Sequence, residues 1–160
     1  MIVVADTSPI LYLVLIEHVE LLEALYGDVL IPESVAAELR ATKSPSEVRA
    51  WISRPPSWAK VTAVPQDRLT TVTADLDPGE RAAIALAEMV AADLLLIDDA
   101  RGRAEAVRRR LGVTGTLGVL RAAAEQRRID VVSVLARLRA TNFYVEDELI
   151  AATFAPWLPK

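Results

Sequence analysis

The chain has 160 residues, 52% of them hydrophobic and 25% charged, with a formal net charge of −4. A chain of this length buries roughly 70% of its unfolded surface and points to one domain, 1–160, that needs no covalent staple. It has no cysteine and one histidine, His18, which excludes disulfides, thiolate catalysis, zinc–sulfur sites and multi-histidine metal centres, and leaves little basis for a Ser/His/Asp triad.

Taken in chain order, Ile2–Ala5 reads as a short buried parallel strand. Thr7-Ser8-Pro9 then opens a helix, with Ser8 as its N-cap and Pro9 at the first position, running through the apolar stretch Ile10 to Ile16. A second helix covers about Val19–Tyr26 and stops at Gly27. Asp28–Ile31 is strand two, and Pro32–Arg40 a helix with Val35 and Leu39 on one face. Thr42–Ser57 is rich in Ser and Pro, with a short helix near Ser46–Ser53; it is the expected mobile or partner-binding region. Val61–Val64 is strand three. Asp77-Pro78-Gly79-Glu80 starts an Ala-rich helix to about Ala91, Leu94–Ile97 is strand four, and Ala100–Leu111 is a basic helix ended by Gly112. Val113-Thr114 is a short strand five, followed by helices over Gly115–Gln126 and Val131–Arg139 and a last helix or turn within Glu146–Phe154. Strands alternating with helices predict an α/β fold with a mostly parallel sheet of four to five strands. No stretch is long and apolar enough to span a membrane, and the opening run lacks the basic start and cleavage site of a signal peptide. A reducing cytoplasm is compatible with the absence of cysteine.

Five carboxylates sit where strands run into loops or helices. Asp6 follows the first strand, Asp98 and Asp99 follow the fourth, and Glu38 and Glu80 are read in the first turns of helices. The carboxyl ends of parallel strands share one edge, where ligand sites form. Carboxylates gathered there repel one another unless protons or cations compensate, and a hard cation such as Mg²⁺ or Mn²⁺ is the natural partner. Each acid also has an ordinary structural role: Asp6 as a helix cap, Glu38 as a solvated boundary residue, Glu80 as the third residue of a capping box begun by Asp77, and Asp98-Asp99 as a cap balanced by Arg101. Thr7 and Ser8 offer hydroxyls that orient a carboxylate or, equally, cap the helix. The basic run Arg101, Arg103, Arg108, Arg109 and Arg110 adds local positive charge beside the Asp98-Asp99 pair.

These residues resemble the PIN-domain superfamily of metal-dependent ribonucleases, which includes the VapC-type toxins. The resemblance is carried by Val4-Ala5-Asp6-Thr7-Ser8, by Ile31-Pro32-Glu33-Ser34-Val35-Ala36-Ala37-Glu38-Leu39 and by Leu95-Leu96-Ile97-Asp98-Asp99. The block Leu76-Asp77-Pro78-Gly79-Glu80, with Arg101-Gly102-Arg103 and Thr114-Gly115-Thr116-Leu117-Gly118, resembles a prokaryotic PIN-like branch. The likeness covers about residues 1 to 145. It implies a PIN-like three-layer fold with strands one and four adjacent at the centre, and metal-dependent hydrolysis of RNA phosphodiesters. Carried over by position, Asp6, Glu38, Glu80, Asp98 and Asp99 become the catalytic and metal-binding acids, with Glu80 standing where the toxins commonly have Asp. Asp6 and Asp99 are expected as direct ligands, and Glu38, Glu80 and Asp98 as ligands through water or as water-positioners. Arg101 and Arg103 either hold substrate phosphate or form a solvated helix face. The resemblance further implies homodimers and, for many members, an antitoxin partner. Trp51, Trp58 and Trp157 are expected to serve packing rather than base stacking.

Three other readings compete. A haloacid-dehalogenase-like phosphatase requires a second Asp two residues after the first, where this chain has Ser8. A receiver-type phosphoacceptor requires a Lys after its last strand, yet none lies between Lys60 and Lys160. The remaining rival is an inactive PIN-like fold that acts as a binding or regulatory protein.

Overall fold

A computed structural model describes residues 1–160. Five strands, β1 (Val3–Ala5), β2 (Val29–Pro32), β3 (Ala59–Thr62), β4 (Leu94–Leu96) and β5 (Val113–Thr114), form one sheet in the order β3-β2-β1-β4-β5. Every pairing is parallel, so the sheet is parallel throughout. As expected, β1 lies against β4 at the centre, in a register that sets Val3 against Leu94 and Ala5 against Leu96.

The strands are apolar on both faces because both faces are covered. Val3, Ala5, Val29 and Ile31 point into the larger core. That core is built with α1 (Thr7–Leu15), α2 (Leu21–Tyr26), α3 (Glu33–Arg40), α4 (Ser46–Ser53), α8 (Thr116–Glu125), α9 (Val131–Arg139) and α10 (Asp147–Phe154). Val4, Leu95 and Ile97 point the other way, against α6 (Pro78–Met89) and α7 (Ala100–Arg108). Successive strand residues alternate between the faces, as a pleated backbone requires, and the result is three layers.

Several boundaries differ from the sequence reading. The first helix begins at Thr7, with Asp6 rather than Ser8 at the capping position, so Pro9 lies within the first turn. The second begins at Leu21, not Val19. Strand three is Ala59–Thr62 rather than Val61–Val64; it is an edge strand, and Val29 pairs with Ala59 and donates its amide to the Trp58 carbonyl at 2.8 Å. The residues after it form a short helix, α5 (Gln66–Leu69), that the sequence pattern did not show. The basic helix ends at Arg108, and Arg110 takes a left-handed φ of 65° before Gly112 is reached. Glu38 is in the second turn of α3, not in its opening turn. The Ser/Pro-rich segment carries its helix at Ser46–Ser53, which buries Val48 and Ile52. Trp51 packs on Trp58 at 5.9 Å and Trp157 on Phe154 at 6.3 Å, so all three tryptophans serve packing.

Candidate active site

The backbone amide of Asp6 donates to the Leu96 carbonyl at 2.8 Å, which fixes this acid at the carboxyl end of the two central strands. Asp6 is 4% exposed. Its backbone is extended at the head of α1, yet its carboxyl makes no capping bond, and Oδ1 is buried without any hydrogen-bond partner. A buried carboxylate oxygen with no partner makes the anion costly. Its pKa is pushed up to about 7, chiefly by burial, with the Thr7 amide opposing and the charges of Asp77, Glu38 and Asp98 adding to the rise. Capping therefore does not account for Asp6.

Glu38 reaches the same place from α3. Its Oε2 accepts from the Thr7 hydroxyl at 2.6 Å, so the residue beside Asp6 orients a second acid. Oε1 of Glu38 comes up against Gly79, where a Cβ would stand only 2.6 Å away. The space left by the missing side chain of Gly79 is thus used by Glu38.

Glu80 enters from the head of α6. Asp77 caps that helix, its Oδ1 accepting from the Glu80 amide at 2.8 Å. Half of the expected capping box is thus present. The Glu80 side chain does not complete it, and is 9% exposed. Its carboxyl shares a hydrogen bond with Asp77 and is pushed up to about 8, first by burial, then by that bond and by the charges of Asp77, Asp99 and Asp6. On its other side it approaches Gly102, where a Cβ would lie 3.7 Å from the carboxyl carbon.

The adjacent acids after β4 are held differently. Asp98 takes two hydrogen bonds from Thr116, one from the amide at 2.7 Å and one from the hydroxyl at 2.6 Å. Burial raises its pKa, against the opposing pull of these bonds and of Arg103. Gly115 permits the approach, since a Cβ there would collide with Asp98 Oδ1. Asp99 is exposed and caps α7, its Oδ2 accepting from the Gly102 amide at 2.9 Å. The charge of Asp98 acts on Asp6, and that of Asp99 on Glu80.

The basic run divides in the same way. Arg103 donates to the Ile97 carbonyl at 3.1 Å, beside Asp98, and Arg101 is exposed and forms no ion pair with the acids. Arg108 and Arg109 bind Glu105, and Arg109 also binds Glu88 at 2.6 Å, so both are committed to pairs within the protein.

Two residues at the candidate site have partnerships that the sequence reading does not give. Asp77 is visible there only as a cap and within the motif Leu76-Asp77-Pro78-Gly79-Glu80, and Thr116 stands in the motif Thr114-Gly115-Thr116-Leu117-Gly118, whereas its partner, Asp98, is 18 positions away. Two clefts border the acids. One, of about 520 Å³, is lined by Thr7, Tyr12, Glu38, Lys43 and Asp77; the other, of about 640 Å³, is lined by Asp98, Arg103, Arg121 and Tyr144 among others. The donors are all oxygen, as hard divalent cations require, and Asp6 Oδ1 has no partner within the protein. The donor chemistry therefore fits such a cation, although no three of the acids lie close enough together to share one ion as they stand.

A family profile described as a PIN domain, DUF3368, matches residues 2–156. No curated protein and no solved structure gives a significant match. The profile covers nearly the whole chain, and together with the parallel three-layer sheet it shows that this protein belongs to the PIN-domain superfamily, a nuclease-type group.

Proposed function

We propose that the protein is an endoribonuclease dependent on Mg²⁺ or Mn²⁺. The observation that carries this reading is the buried, partnerless carboxylate oxygen of Asp6, placed among acids from three further segments whose charges raise its pKa. Such an arrangement destabilises a metal-free protein and is relieved by a cation. Asp6, Glu38, Glu80, Asp98 and Asp99 would hold one or two such ions, some of them through bound water, with Asp77 beside them. The cation would neutralise charge on the attacked phosphodiester and acidify water to make the nucleophile. Thr7 and Thr116 orient Glu38 and Asp98, which matters because the partners of ligating carboxylates tune affinity. Arg103, and Arg101 on the exposed face of α7, would meet substrate phosphate. In-line hydrolysis would leave a 5′-phosphate and a 3′-hydroxyl. No nucleophilic side chain is required, in keeping with a chain that has no cysteine.

The resemblance to VapC-type toxins extends the proposal to a cytoplasmic, homodimeric toxin restrained by an antitoxin. Induced expression should then arrest growth, with relief from the product of a neighbouring gene. No helix is long and apolar enough to cross a membrane.

A second reading, an inactive PIN-like binding protein, draws on the absence of any three acids grouped tightly enough for one ion. End-labelled single-stranded RNA separates the two. The nuclease reading expects cleavage with Mn²⁺, none with EDTA, and a loss of about 100-fold or more in Asp6→Asn, a magnitude typical of removing a group that stabilises transition-state charge. Cleavage that survives Asp6→Asn unchanged, or no cleavage by the unmodified protein, would reject it.

A further inference from the structure

Asp98 forms part of the wall of the 640 Å³ cleft, which opens between the head of α8 and the segment Phe143–Glu146. The lining joins three kinds of group. Arg103 and Arg121 bring guanidinium groups, Asp98 and Glu146 bring carboxylates, and Leu117, Phe143, Tyr144 and Leu149 bring apolar and aromatic surface. Arg121 is engaged only by Glu125, at 3.2 Å, with both side chains 56% exposed, a weak surface contact that another anion can displace. Tyr144 is 84% exposed and Leu149 53% exposed, so both present free apolar surface to the cleft.

The segment that carries Tyr144 is nonetheless anchored. Phe143 meets Tyr12 edge-on with ring centroids 4.9 Å apart, and the Tyr12 hydroxyl donates to Asn142 Oδ1 at 2.9 Å. Tyr12 belongs to α1, the helix that Asp6 opens. The exposed ring is thus tied to the element that positions the central acid. Volumes of roughly 300–1,000 Å³ are usual for sites that take small molecules, and this one holds charge for a phosphate and a ring for a base.

We propose that the cleft receives one unpaired nucleotide adjoining the phosphate at Asp98, its base stacked on Tyr144 and its own phosphate met by Arg121. The inference rests on the nuclease reading and adds to it the residues, Tyr144 and Arg121, that would hold the nucleotide next to the cleaved bond. A base within an A-form helix has both faces covered by its neighbours and offers none to a side chain, whereas an unstacked base does. Every base has such a face, so Tyr144 selects for strand state and tolerates sequence.

Binding is measured by fluorescence anisotropy on the full chain carrying Asp6→Asn, with Mn²⁺ and a labelled single-stranded RNA oligonucleotide, alongside cleavage by the unmodified chain. Adding Tyr144→Ala should weaken binding by roughly 5- to 100-fold, while Tyr144→Phe, which keeps the ring, should bind as the parent does. Arg121→Ala should weaken binding and lower the salt slope by about one. A duplex of the same length should bind far more weakly than the single strand. Tyr144 is a surface residue, so melting curves should match across these variants. If the parent binds RNA and both Tyr144→Ala and Arg121→Ala bind equally well, or if the duplex binds as tightly as the single strand, the cleft assignment is overturned while the nuclease reading stands. If the unmodified chain neither binds nor cleaves RNA, both are overturned.

Discussion

Thr116 grips Asp98 with two hydrogen bonds, 2.7 Å from its amide and 2.6 Å from its hydroxyl, and is itself fully buried. The pair joins the end of β4 to the head of α8 and fixes the orientation of one acid of the proposed site. Thr116→Val preserves shape and removes the hydroxyl donor. The expected outcome is a fall of about 10- to 100-fold in Mn²⁺ affinity or RNA cleavage, the range typical of residues that orient metal-ligating groups. Thr116→Ser should retain most of both. Calorimetric titration and a cleavage assay on the two variants check this.

Gly79 gives a test in which stability and site function part company. A methyl at this position meets the far end of the Glu38 side chain at 2.6 Å, which must move aside. Alanine is otherwise better than glycine in the first turn of α6, by up to about 1 kcal/mol. Gly79→Ala should therefore leave the melting temperature unchanged or slightly raised, and weaken Mn²⁺ binding by displacing Glu38. A melting curve and a metal titration on the same preparation give both readouts.

Asp77 has two roles that substitution can separate. It caps α6 through the Glu80 amide at 2.8 Å, and its charge and hydrogen bond help raise the Glu80 pKa. Asp77→Ala should cost about 0.5–2 kcal/mol from the lost cap. Asp77→Asn keeps a capping acceptor and removes the charge, so it should be at least as stable as the parent without metal. Carbon-detected NMR titration of the Glu80 carboxyl should show a lower pKa in Asp77→Asn.

The pH dependence of the metal-free protein has a definite sign. Asp6 is raised from 3.8 to about 7, mainly by burial, and Glu80 from 4.5 to about 8, mainly by burial and then by Asp77. The folded state thus holds both protons more tightly than the unfolded state. Their contribution to stability is complete below about pH 4 and is lost as the pH rises through about 7 and 8. With EDTA, the melting temperature should fall between pH 5 and pH 8.5. With Mn²⁺ the fall should be offset, most at high pH, and Asp6→Asn should flatten the metal-free profile.

The central architecture was legible because it is written in local patterns. Ile2–Ala5 and Leu94–Ile97 are short, wholly apolar runs, and only a strand covered on both faces explains them; Val4, Leu95 and Leu96 are fully buried. The placement of β1 beside β4 came from the family resemblance, not from the pattern. β3 was misplaced by two residues because an edge strand need not be apolar: Val61 is 38% exposed, and pairing with β2 sets the register. Among the residues of the proposed site, Asp6 and the Asp98-Asp99 pair could be read from their positions after strands. The partnership of Thr116 with Asp98 could not, since it depends on α8 folding back to the sheet edge. The capping role anticipated for Asp6 falls to its backbone alone, whereas Asp99 does cap its helix.

The most direct measurement is calorimetric titration of Mn²⁺ into the unmodified protein and into Asp6→Asn at pH 8, where the acids that burial protects should be giving up their protons. Saturable binding with proton release by the unmodified protein is expected, together with a loss of at least about tenfold in affinity for Asp6→Asn. Equal affinities in the two proteins, or no binding by either, would contradict the assignment of these acids as a cation site.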